Sequence, residues 1–201
     1  MDMYAGRAAL SDALGKAMRS DDIAGGMDME KGGGRGNPVK QFAELGASAA
    51  KFLQAPDGPS SAMLELGGWD THSRQATRLS QQFRALDAGL AALKTGLGSA
   101  WQDTTVFVMS EFGRTANFNG SNGTDHGTAG TAFALGGAVR NGRIAGDWPG
   151  LEKSALYKER DLFPANDAYA VLAGLLAGQF GFGRAEMQHI LPGITPMSGL
   201  L

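Results

Sequence analysis

Two short clusters of carboxylate and imidazole side chains stand out in this sequence. In the first, "GGWDTHSRQ", Asp70 and His72 lie two positions apart; in the second, "SEFGRTANFNGSNGTDHGTAG", Glu111 precedes the adjacent pair Asp125 and His126. The chain has three histidines, and these clusters hold two of them. Carboxylate oxygen and imidazole nitrogen together suit Zn²⁺, Mn²⁺ or another borderline divalent ion. The clusters therefore predict a mixed nitrogen and oxygen metal site, provided that the fold brings them together.

Apolar spacing predicts the elements that would position these clusters. Helices are expected over residues 38–54, which start with a proline, and over residues 74–97, where leucines recur at steps of three and four. The runs "AMLELG", residues 62–67, and "TTVFVMS", residues 104–110, are typical of buried strands. Strand, long helix and strand in this order predict a parallel βαβ unit.

The βαβ unit predicts where the two clusters meet. Parallel strands end at the same edge of a sheet, and open α/β folds bind their ligands at that edge. Each cluster directly follows one of the two predicted strands, so both are expected there. The side chains at this edge are the predicted metal ligands: Asp70, His72, Glu111, Asp125 and His126. Arg114, in the same stretch, is the predicted contact for an anionic substrate.

Each of these residues also has an ordinary structural interpretation. Asp70 is a suitable N-cap for the long helix that follows it. His72 is compatible with a plain surface position, and Arg114 with an ion pair to Glu111, which contributes little at a surface. His189, in the C-terminal tail, is expected to be a surface or packing residue.

The remainder of the chain predicts two segments. Residues 1–37 hold a short helix and a glycine-rich loop, and residues 38–201 form one α/β domain. Within that domain, "TAFALGG" is expected to be a further strand, and "AVRNGRIAG" a hairpin around Asn141 and Gly142. A last long helix is expected to start near Asn166 or Asp167.

Composition excludes several classes of function. The net charge of -2, with scattered Lys and Arg, argues against nucleic-acid binding. The absence of cysteine excludes disulfides, thiolate metal sites and a cysteine nucleophile. A chain without cysteine is compatible with the cytosol or the periplasm, so the compartment stays open. No apolar run approaches the roughly 20 residues of a membrane span, and the N-terminus lacks the apolar core of a signal peptide, so we expect a soluble chain without an export signal of its own.

Five motifs in order resemble one protein family. They are "GGWDTHSRQ", "VFVMSEFGRT", "NGTDHG", "GGAVRNGRIAGDWPGL" and "RDLFPANDAYAVLAGLL". This series resembles the C-terminal half of the DUF1501 family, bacterial proteins of unassigned activity within the alkaline phosphatase and sulfatase superfamily. The match runs from about Ala62 to Pro192. The resemblance implies a three-layer α/β/α sandwich, truncated at its N-terminal side.

The resemblance also implies a chemistry and a set of roles. Superfamily members hydrolyse or transfer phosphate and sulfate esters with one or two divalent metals and a Ser, Thr or modified Cys nucleophile. By order along the chain, Asp70 and His72 correspond to the first ligand pair, Glu111 to a second carboxylate, and His126 to the last histidine ligand. Glu-Phe-Gly stands here where the superfamily commonly has Asp-His-Gly. Family resemblance suggests export to the bacterial periplasm.

The family's upstream motifs lead to an expectation about completeness. DUF1501 proteins normally have an export signal and a first strand ending in a Gly-Gly-Asn-Asp-Gly-like motif, and no such strand precedes Asp70. We therefore expect the C-terminal portion of a metal-dependent hydrolase, without the nucleophile region and incomplete as an enzyme alone. A missing half or a second copy would then cover the exposed sheet edge. The alternative is a non-catalytic metal- or partner-binding module of the same fold.

Overall fold

The structure is a computed structural model that describes residues 36–139 and 142–201. Nearly all of the segment predicted over residues 1–37 lies outside the described residues. The described part of the chain forms four α-helices, two 3₁₀ segments and four short strands: α1 (Pro38–Gln54), α2 (Gln75–Leu97), a 3₁₀ helix (Gly98–Asp103), β1 (Val106–Val108), β2 (Gly113–Arg114), β3 (His126–Gly127), β4 (Phe133–Leu135), a 3₁₀ turn (Lys153–Ala155), α3 (Ala168–Phe180) and α4 (Arg184–Ile190). None of these helices is both long and apolar enough to cross a membrane.

The long helices agree with the predicted bounds because their signals are local. Helix α1 starts after Asn37, whose side chain accepts a hydrogen bond from the Val39 N–H at 3.0 Å. Helix α3 starts after Asp167, which caps the Tyr169 N–H at 2.8 Å in the same way. Capping side chains of this kind satisfy the N–H groups that a helix start leaves without partners.

The chain divides into two compact units. Within the described residues, the first consists of residues 36–69 and 77–98 and holds α1 and most of α2. Its helices approach backbone to backbone: a Cβ on Gly46 would lie 2.3 Å from the Gly89 oxygen, and a Cβ on Gly89 would lie 2.2 Å from Phe42 Cδ1. Glycine is therefore needed at this helix crossing because no side chain fits there.

The second unit consists of residues 70–76 and 99–201 and contains both sheets, α3 and α4. Strands β1 and β4 pair antiparallel, with Phe107 opposite Ala134, and β2 pairs antiparallel with β3. The apolar core of this unit consists of buried side chains from its C-terminal half: Leu156, Ala173, Leu175, Met187 and Leu200.

The prediction of a parallel βαβ unit is wrong. Residues 62–67 form no strand, and Met63 within them is 97% exposed. The partner of β1 is β4, and the pairing is antiparallel. A short apolar run has no periodicity that separates a strand from an irregular segment, and a strand also needs a partner that lies elsewhere in the sequence.

The other predicted strands have different outcomes. The run "TAFALGG" contains β4, as predicted. The turn predicted around Asn141 and Gly142 involves residues 140 and 141, which lie outside the described residues, and the described flanks form no strand. The described part of the chain is thus a mixed α/β structure with two small antiparallel sheets.

Replacing Gly89 by alanine should destabilise the first unit. The added methyl group would overlap the Phe42 ring, and such overpacking typically costs about 1–3 kcal/mol. Urea unfolding followed by circular dichroism measures this loss. Gly67→Ala is the matched control, because no atom beyond its chain neighbours lies within 4 Å of its Cβ position. Equal losses in the two variants would contradict the packing described for α1 and α2.

Candidate metal centre

One carboxylate oxygen, Asp70 Oδ1, is the centre of the site. It lies 2.8 Å from Arg114 Nη2, 3.0 Å from His72 Nε2 and 3.0 Å from His126 Nε2. The two imidazole rings stack, with centroids 5.0 Å apart and an interplanar angle of 17°. The two clusters that are separated in sequence therefore meet at one atom.

Different local structures position the two clusters. Asp70 and His72 lie in the irregular segment that leads into α2, whereas His126 lies in β3. Strand register places Arg114 of β2 opposite His126. The short β2–β3 pair thus carries both the arginine and one histidine of the site, in place of the parallel sheet edge that the sequence predicts.

A loop before β3 attaches to the backbone of the first cluster. Asn119 Oδ1 accepts hydrogen bonds from the Ser121 and Gly123 N–H groups, at 2.9 and 3.1 Å. Its Nδ2 donates to the His72 carbonyl and to Asp125 Oδ1, each at 3.0 Å. A Cβ on Gly123 would lie 2.2 Å from the His72 carbonyl carbon. Only glycine allows the loop to approach this closely.

Asp125 orients one of the histidines. Its Oδ1 lies 3.2 Å from His72 Nδ1, on the side of the ring opposite Asp70. A carboxylate on the far nitrogen of a histidine commonly fixes the ring and directs the other nitrogen at a metal. The Asn119 hydrogen bond, followed by that of His72, holds the pKa of Asp125 below its usual value.

The electrostatics of Asp70 favour the charged carboxylate. Desolvation raises its pKa, but the electrostatic interactions with His72, Arg114 and His126, with the Arg114 hydrogen bond, outweigh it. The net effect is a pKa below the ordinary 3.8. Asp70 is therefore held as an anion, which is the form that ligates a metal.

Proton positions on His72 limit how these contacts can be satisfied. Both of its ring nitrogens face carboxylate oxygens, at 3.0 and 3.2 Å. A neutral ring donates one hydrogen bond, so its second nitrogen would direct a lone pair at an anion. Either the ring carries a second proton, next to another histidine and Arg114, or a cation lies between Nε2 and Asp70. A divalent ion would use the Nε2 lone pair as a ligand, so His72 would need no second proton.

The spacing of the three candidate ligands fits a small tetrahedral ion. One ligand atom from each of Asp70, His72 and His126 lies within 4.8 Å of the others. A tetrahedral ion with bonds of about 2.0–2.1 Å separates its ligand atoms by about 3.3 Å, close to the two 3.0 Å separations. About half of each side chain is exposed, 48% to 53%. The donor set and its access to solvent match a three-ligand site with an open position.

The structure separates the other predicted site residues from this group. Glu111 is exposed and does not belong to it. Asp125 contacts His72 but contributes no atom to it. Arg114, 18% exposed, donates to Asp70 Oδ1 and to the Thr124 carbonyl at 3.0 Å. His189 is exposed in the last turn of α4.

Sequence reasoning missed Asn119, which lies in the Asn- and Gly-rich run before β3. The available signal was the composition of that run, because Asn side chains hydrogen-bond nearby backbone groups.

Comparison with protein families matches residues 13–191 to DUF1501, described as a protein of unknown function. The match covers most of the chain, and the protein belongs to the DUF1501 family. The matched region begins well before Ala62, where the recognisable motifs start. Searches of the curated proteins and of the solved structures found no match.

Replacing Asn119 by alanine should loosen the loop that carries Asp125. The change removes four hydrogen bonds and leaves the His72 carbonyl without this donor, a loss of about 1–3 kcal/mol in the free energy of unfolding. Chemical denaturation measures it. Asn117→Ala, at an exposed position of the same stretch, should change stability by less than about 0.5 kcal/mol. Equal effects would argue against the loop attachment.

Proposed function

We propose that Asp70, His72 and His126 bind one divalent metal ion, and that the protein serves in metal-dependent hydrolysis of phosphate or sulfate esters. The observation that carries the metal is the convergence of two imidazole nitrogens on one carboxylate oxygen at 3.0 Å each. Imidazole and carboxylate ligands favour Zn²⁺ or Mn²⁺ over Mg²⁺ or Ca²⁺, which prefer all-oxygen sites.

The hydrolase part of the proposal rests on chemistry and on resemblance. A divalent ion with an open position supplies a Lewis acid for the oxygen of an ester. The motif resemblance to the alkaline phosphatase superfamily favours phosphate and sulfate esters, and a sandwich fold of that type is proposed on the same basis. The alternative is a family member that holds the metal without catalysis, for a structural purpose or for a partner.

Two arginines near the centre have different surroundings. Arg114 is largely buried and donates a hydrogen bond to Asp70, which favours a role in holding this carboxylate. A role of Arg114 in binding a substrate anion stays a prediction. Arg160 is 57% exposed, and its Nη2 donates to the His126 carbonyl at 3.3 Å while Nη1 pairs with Asp161 at 3.0 Å. Arg160 is thus the more accessible guanidinium for an anionic group on a substrate.

Metal binding should depend on two of the three histidines. Each of His72→Ala and His126→Ala removes a proposed ligand, so Zn²⁺ affinity should fall by more than the roughly 100-fold that loss of an outer-shell partner costs. Competition with a chromogenic chelator measures the dissociation constant. His189→Ala is the matched control and should bind like the wild type. Metal affinity that is equal in all three variants would refute the ligand assignment.

Hydrolysis should require the metal and the same histidines. Because the chain is expected to be incomplete as an enzyme alone, its rate with added Zn²⁺ or Mn²⁺ should be low. The wild type should still release some nitrophenol from p-nitrophenyl phosphate or p-nitrophenyl sulfate, and His126→Ala should abolish that metal-dependent rate. The chelated protein and His189→Ala serve as controls. Tight metal binding without release of nitrophenol from either ester would favour the non-catalytic alternative.

A further inference from the structure

A buried hydrogen-bonded group lies directly beside the candidate metal centre. The Oε1 atom of Gln75 accepts hydrogen bonds from the Thr71 hydroxyl at 2.8 Å and from the Thr124 hydroxyl at 2.6 Å. Thr71 is 1% exposed and Thr124 is 5% exposed. Their hydroxyl groups are therefore shielded from water, and an amide oxygen with two lone pairs satisfies both at once.

The two threonines belong to the two ligand-bearing segments. Thr71 lies between Asp70 and His72, and Thr124 directly precedes Asp125 and His126. Gln75 thus joins, through one atom, the chain segments whose side chains converge on Asp70 Oδ1.

Backbone hydrogen bonds reinforce the junction that Gln75 forms between the Thr71 and Thr124 segments. The Thr124 N–H donates to the Thr71 carbonyl at 3.2 Å, and the Gln75 N–H donates to the Asn122 carbonyl at 2.9 Å. Gln75 is the first residue of α2, where an N–H group has no partner inside the helix. Its main chain and its side chain therefore both hold the loop that precedes His126.

The hydrogen bonds from Arg114 through the Thr71 hydroxyl to Gln75 all run in one direction, from donor to acceptor. Arg114 Nη2 lies 3.5 Å from the Thr71 hydroxyl, at the limit of a hydrogen bond, and that hydroxyl donates to Gln75. Arginine only donates and an amide oxygen only accepts, so the hydroxyl accepts from one and donates to the other. The same guanidinium contacts Asp70 at 2.8 Å. Gln75 is thereby linked to the carboxylate at the centre of the site.

We propose that Gln75 is a positioning residue of the metal centre. Its side-chain oxygen sets the distance between the segment that carries Asp70 and His72 and the segment that carries His126. The effect of Gln75 on metal affinity rests on the proposed function, whereas the hydrogen-bonded junction that Gln75 forms between the two segments does not. Outer-shell partners that orient ligands typically contribute about 10- to 100-fold to metal affinity.

The test compares two substitutions at Gln75 with a control on the same helix. Gln75→Met keeps the length of the side chain and removes the acceptor, whereas Gln75→Glu keeps an acceptor oxygen. Gln81→Met makes the same change at an exposed position of α2. Zn²⁺ affinity by chelator competition should fall about 10- to 100-fold in Gln75→Met, recover most of that loss in Gln75→Glu, and stay at the wild-type value in Gln81→Met.

A merely structural role would give a different pattern. Gln75→Met would then lower the melting temperature while the folded protein kept the wild-type affinity for Zn²⁺, a result that overturns the proposal. The absorption spectrum of the Co²⁺-loaded protein adds a second readout, since a displaced ligand changes the coordination geometry and hence the visible bands. Unchanged bands in Gln75→Met would likewise overturn it.

Amide hydrogen exchange separates failure of this inference from failure of the proposed function. If the wild type binds no Zn²⁺, the metal proposal fails, and exchange over residues 119–126 decides the junction in the metal-free protein. Faster exchange there in Gln75→Met, with wild-type rates in Gln75→Glu and Gln81→Met, supports the junction. Wild-type exchange in Gln75→Met overturns it.

Discussion

The convergence of three nitrogen atoms on Asp70 Oδ1 is the constraint on which the site depends. One carboxylate oxygen faces Arg114, His72 and His126 at 2.8–3.0 Å. A carboxylate can accept several hydrogen bonds, but two stacked imidazoles and a guanidinium around one oxygen concentrate positive charge if all of them are protonated. In the proposed metal-bound form the imidazoles would be neutral, and each ring would offer the metal a lone pair in place of a proton.

The segments around this oxygen are held by polar contacts more than by apolar packing. Asn119 uses both atoms of its amide group to shape the loop and attach it to His72 and Asp125. Gln75 Oε1 accepts hydrogen bonds from the two buried threonine hydroxyls. Hydrogen bonds that cross-link these segments limit their movement, and the proposed ligand set needs that rigidity to keep its spacing without an ion. The short β2–β3 pair alone, two residues per strand, would not supply it.

Membership of the DUF1501 family identifies the relatives of this chain but assigns no chemistry to it. The chemistry depends on the side chains of the site, because proteins that share a fold can differ in function. The donor atoms favour a borderline divalent ion, and the half-exposed ligands leave room for another molecule beside it. Arg160, with its exposed guanidinium anchored to the His126 carbonyl, adds positive charge next to that position. The anionic ester proposed as the substrate matches these features better than a neutral or cationic molecule does.

The sequence by itself determined the helices and the types of side chain in the candidate site. Pro38 and Asp167 signal helix starts within a few residues of themselves, and apolar spacing within one helix needs no distant partner, so α1, α2 and α3 were predictable. The predicted ligands Asp70, His72, Glu111, Asp125 and His126 stood out because the chain has three histidines and two of them lie near carboxylates. Only the tertiary structure decided how they meet: β1 pairs with β4 and not with residues 62–67, Arg114 contacts Asp70, and Gln75 and Asn119 join the segments. Strand partners and hydrogen bonds between residues some 50 positions apart, such as Gln75 and Thr124, leave no local pattern, because the atoms that satisfy them come together only when the chain folds.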